Sequence, residues 1–355
     1  MTIPSIVPVD RAVADEARRR IDRLTKPPRS LGRIEDLAVR LTAIRGALPT
    51  GGYPRRTIII AAGDHGVVED GVSAYPPEVT AQMVGGFLAG HAAINAFARA
   101  VGAAVYVADL GVRSAGGGGP FFIDANVGRG TRNLAREAAL GDDDTVKRAL
   151  EAGGNVLLEA LRRSPCDVLA LGEMGIGNTT SAAAIIAALT ARPVREVVGR
   201  GTGIDDEGVA RKVAAIERGL ARCAARDWIT VAREVGGYEI VGLAGMILAA
   251  SSLRLPIVLD GVVVGAAALL AHAIAPASIA YCIAAHRSRE PGHAVALAHL
   301  ELEPLLDLDL RLGEASGAAL ALPLIEAAGR MISEMLTFEE AGVATSEERP
   351  VSGRS

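Results

Sequence analysis

The sequence predicts an α/β fold, a doubly wound and mostly parallel sheet (Rossmann-like), with a small helical domain formed from both chain ends. Strand-like runs recur, each ending in Gly or Asp: TIIIAAGDHG, AAVYVADLG, DVLALGEMGIGN and LPIVLDG. Ala-rich helical stretches such as VTAQMVGGFLAGHAAINAFARA and SAAAIIAALTA lie between them, the βαβ alternation that builds a parallel sheet with helices on its faces. Half of the 355 residues are hydrophobic but only 3% are aromatic. Ala, Val, Leu and Ile therefore carry the core, which suits helices packed closely on a sheet.

From about residue 10 to 48 the pattern is helical: VADEARRRIDRL, a KPPRSLG break holding Pro27 and Pro28, then RIEDLAVRLTAIRG. Ser30, a few residues ahead of Glu35 and Asp36, marks the start of the second helix. The strand-bearing middle follows. The C-terminal part, LLDLDLRLGEASGAALALPLIEAAGRMISEMLTFEEAGV, is helical again after a short apolar approach, and ATSEERPVSGRS is a polar end. The expected organisation is a small helical domain from residues 1–50 and 300–343, an α/β substrate-binding domain over 51–299, and a flexible tail at 344–355.

The balance of 41 acidic against 37 basic residues, a formal charge of -4, supplies no basic field for nucleic acid. Cys166, Cys223 and Cys282 are widely spaced with no CxxC pair, so neither a zinc site nor a disulfide framework is expected. The N-terminus carries acids and arginines where a signal peptide needs an apolar core. The long apolar stretch GVVVGAAALLAHAIAPASIAYCIAAH is interrupted by His272 and Pro276 and follows strand-like IVLDG. It reads as strand, turn and buried helix, not as a membrane span. A cytoplasmic, mildly acidic enzyme with no membrane partner fits these features.

In an open parallel sheet, ligands bind beyond the C-terminal strand ends, where Asp64, Asp109, Glu173 and Asp260 fall. The strongest local signal is LALGEMGIGNTTSAAAI: a strand ends at Gly172 and a glycine-rich turn opens into a helix through Asn178, Thr179 and Thr180. Helix-start N–H groups and the helix dipole suit a phosphate there, although a plain tight turn with a Thr cap is an alternative. GxxxxGK[ST] is absent, and Thr180 replaces the third glycine of GxGxxG. A second glycine loop, Gly199, Gly201 and Gly203, precedes a helix starting at Asp205–Glu207. Lys212, two turns in, is either placed to reach a phosphate or a solvated surface lysine.

In AAGDHGVVEDGVSAYPPEVTAQMVGGF, Pro76 and Pro77 lead rigidly into a helix whose first turns carry Gln82 and Met83, with Tyr75 just ahead. Apolar faces with a few polar tips suit a flat heteroaromatic guest; ordinary packing is the alternative for Met83. Asp64 and His65, like His286 and His293 in HRSREPGH, lack the ligand number a metal requires, so none is expected. Glu314 sits between Gly313 and Ala315 among apolar neighbours. Poor solvation there raises a carboxyl pKa towards neutrality, as a general base needs; a helix-start acid favoured by the dipole is the alternative.

Six segments together, KPPRSLGRIEDLA, AAGDHGVVEDGVSAYPPEVTAQMV, LGEMGIGNTTSAAAI, GRGTGIDDEGVARK, HRSREPGH and LLDLDLRLGEASGAALALPLIEAA, resemble the nicotinate-nucleotide–dimethylbenzimidazole phosphoribosyltransferase family, in order from about residue 26 to 343. The resemblance implies transfer of the phosphoribosyl group of nicotinate mononucleotide to 5,6-dimethylbenzimidazole or a similar base. The products are α-ribazole 5′-phosphate and nicotinate, in cobalamin nucleotide-loop synthesis. It implies a homodimer, no cofactor and no metal. Glu314 is by that similarity the catalytic base. Glu173, Gly175, Ile176, Gly177, Asn178, Thr179, Gly201, Gly203 and Lys212 hold the nucleotide, and Tyr75, Gln82, Met83, Met174 and Leu312 wall the base pocket. The rival readings are a non-catalytic nucleotide-sensing binding protein, which has no need of Glu314, and a kinase or ATPase, for which the Walker lysine is missing.

Overall fold

The computed structural model describes residues 5–114 and 117–344. The order is α1 (Arg11–Arg23), α2 (Arg33–Arg45), β1 (Arg56–Gly63), α3 (Val79–Ala89), α4 (Ala93–Val101), β2 (Ala103–Gly111), β3 (Phe122–Asp124), α5 (Asp143–Arg163), β4 (Val168–Met174), α6 (Asn178–Thr190), α7 (Val194–Val197), α8 (Asp206–Ala221), α9 (Trp228–Val235), α10 (Tyr238–Ser252), β5 (Ile257–Leu259), α11 (Val262–Ile274), β6 (Cys282–Ala284), α12 (Pro291–His299), α13 (Ser316–Glu334) and α14 (Phe338–Ala341). The chain divides into two compact units. One holds Arg55–Leu322 with the segment up to Pro8, the other Val9–Pro54 with the segment from Pro323.

The larger unit is built on six strands in the order β3-β2-β1-β4-β5-β6, every neighbouring pair parallel. This is the doubly wound sheet the sequence predicts. Ile58, Ile59 and Ile60 of β1 are all fully buried, because helices cover both faces of a parallel sheet. Each such side chain contributes roughly 1.5–3 kcal/mol by leaving water. The edge strands β3 and β6 were not among the strands expected: FFI ahead of Asp124 is a shorter apolar run than the LPIVL of β5, and CIA lies in the long apolar stretch that reads as turn and buried helix. Helices α5 and α10 approach so closely that a Cβ on Gly245 would lie 2.0 Å from the Leu150 carbonyl oxygen.

In the smaller unit, α1 is capped by Asp10, whose carboxylate accepts from Ala12 N. Lys26 of the KPPRSLG break forms a buried ion pair with Glu35 at 2.9 Å. Ser30 does not start α2: the cap position is Gly32, with no side-chain cap, and Glu35 instead accepts from Leu31 N at 3.0 Å. Backbone pairing of Leu24 with Thr337 joins the two chain ends, and Tyr53 N donates to Glu326 at 2.7 Å. The tail expected at 344–355 lies, but for residue 344, outside the described residues. Among the described residues no helix is long and apolar enough to cross a membrane.

Candidate active site

In this strand order the winding reverses direction between β1 and β4, so the loops beyond their C-terminal ends part and leave a crevice. A cavity of about 540 Å³ opens there, walled by the segments after β1, β4, β5 and β6 and by the turn before α13. Tyr75, Met83, Glu173, Met174, Gly175, Ile176, Asn178, Thr179, Gly201, Leu312 and Glu314 all line it. Residues remote in sequence thus meet at one place. Gly177 sits behind the wall in the β4–α6 turn, and Lys212 lies under it. Gln82 is exposed on α3, and Gly203 is exposed at the tip of its loop.

The β4–α6 turn is held from below. The Ile176 N–H donates to Thr80 Oγ1 at 3.1 Å, and the N–H groups of Asn178 and Thr180 return to carbonyls of the turn itself. Gly177, at φ 91°, takes the left-handed conformation that starts α6. These contacts leave fewer free N–H groups than a bare helix start has, so the dipole of α6 and the neighbouring cation carry more of any anion's stabilisation. That cation is Lys212. Its side chain is fully buried, not solvated, and Nζ donates to Thr179 Oγ1 at 2.6 Å. Burial lowers its pKa to about 8, against the opposing charge of Glu290. Glu290 in turn accepts the Gly201 N–H at 2.9 Å.

The wall at Tyr75 is fixed by Thr202, whose Oγ1 accepts from Ala74 N at 3.0 Å. Tyr75 and Leu312 present apolar surface at the mouth, each 54% exposed. The inner end is acidic. Glu314 is 6% exposed, and burial followed by the nearby charge of Asp260 pushes its pKa up to about 7. Glu173 rises to about 8, through burial and the charge of Asp260 and despite a hydrogen bond from the Asn178 amide. Glu314 is therefore close to half ionised at neutral pH, while Glu173 is largely protonated.

The backbone around Glu314 is unusual. Gly313, Glu314 and Ala315 have φ of 83°, 60° and 62°, a left-handed run ending where α13 begins. Two of these residues are not glycine, and each such conformation costs on the order of 1 kcal/mol or more. The turn lies against the end of β4, where a Cβ on Gly172 would meet Ala315 N at 2.1 Å. Glu314 is thus no ordinary helix-start acid, since it precedes the helix in a strained turn that faces the cavity.

Several lining residues were not anticipated as a site. His286, Ser288 and Glu290 come from HRSREPGH, which the sequence marks as a family segment and weighs only for a metal; Thr202 and Arg311 lie in family segments but were given no role, and Val262 and Val263 gave no signal. His286 is 2% exposed and neither ring nitrogen has a hydrogen-bond partner among the described residues. Among those residues, no group of three or more His, Cys, Asp or Glu is arranged to hold a metal.

A family model described as Phosphoribosyltransferase matches residues 6–343. A nicotinate-nucleotide–dimethylbenzimidazole phosphoribosyltransferase of Chloroflexus aggregans is 50% identical over 352 residues, covering 98% of both chains. The protein of that name from Geobacter sulfurreducens is 49% identical over 344 residues, 96% of this chain and 97% of its own. The crystal structure of the Thermus thermophilus protein of that name superposes with a TM-score of 0.90 at 48% identity, covering 95% of this chain and 99% of that one.

Proposed function

The chain belongs to the nicotinate-nucleotide–dimethylbenzimidazole phosphoribosyltransferase family, and from that premise we propose how its cavity carries out the transfer. The enzyme moves the phosphoribosyl group of nicotinate mononucleotide to 5,6-dimethylbenzimidazole or a similar base. The observation that carries the assignment of roles is the Glu314 carboxyl group, its pKa held at about 7, facing a cavity that also contains the glycine turns at 175 and 201. The nucleotide phosphate lies at the start of α6, with Lys212 beneath Thr179 as its counter-charge. Tyr75, Met83, Met174 and Leu312 enclose the flat base.

In the reaction an azole nitrogen lone pair forms the new bond to the ribose anomeric carbon as the bond to the pyridinium nitrogen breaks. The electron pair of the breaking bond leaves with the pyridinium nitrogen and neutralises it, so the leaving group needs no proton. The other azole nitrogen carries the surplus proton, and Glu314 accepts it. A single base suffices, and holding both reactants side by side removes much of the entropic barrier. Attack opposite the leaving group converts a β-nucleotide into an α-riboside. The relatives are named for catalysis, and no observation favours a binding protein that only senses a nucleotide. A homodimer in the cytoplasm, within cobalamin nucleotide-loop synthesis, completes the proposal; the exposed Tyr75 and Leu312 at the cavity mouth suit cover by a second copy.

The test is incubation with nicotinate mononucleotide and a panel of benzimidazoles, with α-ribosyl products identified by mass and chromatography, on protein expected to weigh twice 36.5 kDa by light scattering. Glu314→Gln is expected to lower kcat by about 10²–10⁴-fold with the fold intact. Turnover near that of the unaltered enzyme rules out Glu314 as the base.

A further inference from the structure

Asp260 follows β5 by one residue and is 1% exposed, behind the cavity wall and not on it. Its Oδ1 accepts the N–H groups of Gly317 at 2.8 Å and Ala318 at 3.0 Å, in the first turn of α13. Oδ2 has no hydrogen-bond partner among the described residues. His286 Nε2 stands 3.5 Å from Oδ1, too far for a good hydrogen bond. The left-handed run Gly313–Glu314–Ala315 leads straight into this turn. Such a run persists only where its surroundings hold it. From within, Ser316 N donates to Gly313 O at 3.0 Å; from outside, the carboxylate of Asp260 grips the two residues that follow.

We propose that Asp260 is a positioning residue for the transfer reaction: by anchoring the first turn of α13 it keeps the preceding run left-handed and so aims the Glu314 carboxylate into the cavity. The inference rests on Glu314 being the base. Asp260 also supplies charge. Around Glu314, Glu173 from β4, His286 after β6 and Arg311 from its own loop line the same cavity, Asp260 after β5 lies behind its wall, and Glu239 of α10 acts on Glu173. Glu173, at about 8, is mostly uncharged at neutral pH. After burial itself, Asp260 is what raises Glu314.

Two substitutions separate anchoring from charge. Asp260→Asn keeps a carbonyl oxygen for the two N–H groups and removes the charge. The acid limb of the kcat profile is expected to move down by at least about half a pH unit, with KM for nicotinate mononucleotide little changed. Asp260→Ala removes the anchor as well, and kcat is expected to fall about tenfold or more below that of Asp260→Asn, again with little change in KM. If Asp260→Ala does not accumulate as folded protein, Asp260→Ser, whose shorter side chain cannot reach both N–H groups, is measured in its place. An Asp260→Ala enzyme with unaltered kcat overturns the inference, whereas an acid limb that stays where it is in Asp260→Asn leaves the anchor, without the charge, as what Asp260 supplies. Should Glu314→Gln also prove inactive, an unaltered kcat would count against Asp260 alone. Full turnover by Glu314→Gln would remove the premise itself.

Discussion

At the scale of single residues the site is a set of groups held away from their ordinary ionisation. Lys212 is buried with a single short bond to Thr179, and that burial lowers it to about 8. A phosphate arriving at the start of α6 favours the charged form. Lys212→Met keeps the stem and removes the ammonium. It is expected to raise KM for nicotinate mononucleotide by about 10- to 100-fold, the equivalent of a ~1.5–3 kcal/mol charged hydrogen bond, but not KM for the riboside lacking the phosphate. An equal rise for both substrates, measured by initial rates, places Lys212 in the framework instead. That Lys212 mattered was legible in the sequence only as one of two readings. Spacing along α8 says how far the stem reaches, but not that the helix packs its Lys212 face inward.

At the scale of elements, strand ends and glycines do the positioning. Glu173, Asp260 and His286 come from the ends of three strands, and each reaches the Glu314 turn because parallel strands release their C-termini on the same side. Close helix contact supports this arrangement from behind. Gly245→Ala is expected to push α5 from α10 and to lower stability by about 1–3 kcal/mol or more, seen as a lower urea midpoint, since the added carbon lies 2.0 Å from the Leu150 carbonyl oxygen. An unchanged midpoint would mean that the two helices part without cost. The strands β1, β2, β4 and β5 could be read from apolar runs ending in Gly or Asp. The edge strands β3 and β6 could not, because β3 has only a short apolar run ahead of Asp124 and β6 lies in an apolar stretch that suits a buried helix equally well, so pairing with β2 and β5 is what makes them strands.

Across the whole molecule, the buried acids link stability to pH. The folded pKa values of Glu173 and Glu314, about 8 and about 7, lie above their ordinary 4.5. Between those limits the folded protein holds protons that the unfolded chain has released. The stabilising contribution is complete below about pH 4.5 and is lost as the pH rises through 7 and 8. The ligand-free protein is therefore expected to melt at progressively lower temperature from about pH 6.5 to 8, above the range in which buried His293, lowered to about 3, works in the opposite direction. Glu173→Gln, which cannot ionise, is expected to flatten that decline. Parallel declines in both proteins, followed by calorimetry, contradict the assignment of the burden to Glu173.

The sequence by itself determined the α/β class, the positions of the principal strands along the chain, the family, and the two glycine turns and the glutamate that meet in the cavity. These are written in local patterns: apolar runs, turn residues and six ordered motifs. Only the tertiary structure decided which of the candidate residues share one cavity. It brought Glu314 to Glu173 across nearly half the chain, buried Lys212, left Gln82 exposed on α3, and drew His286 and Asp260 to the turn that carries Glu314. The physical reason is that ionisation and contact depend on what surrounds a group in space. A chain that crosses between β1 and β4 sets those surroundings by packing, which no window of sequence contains.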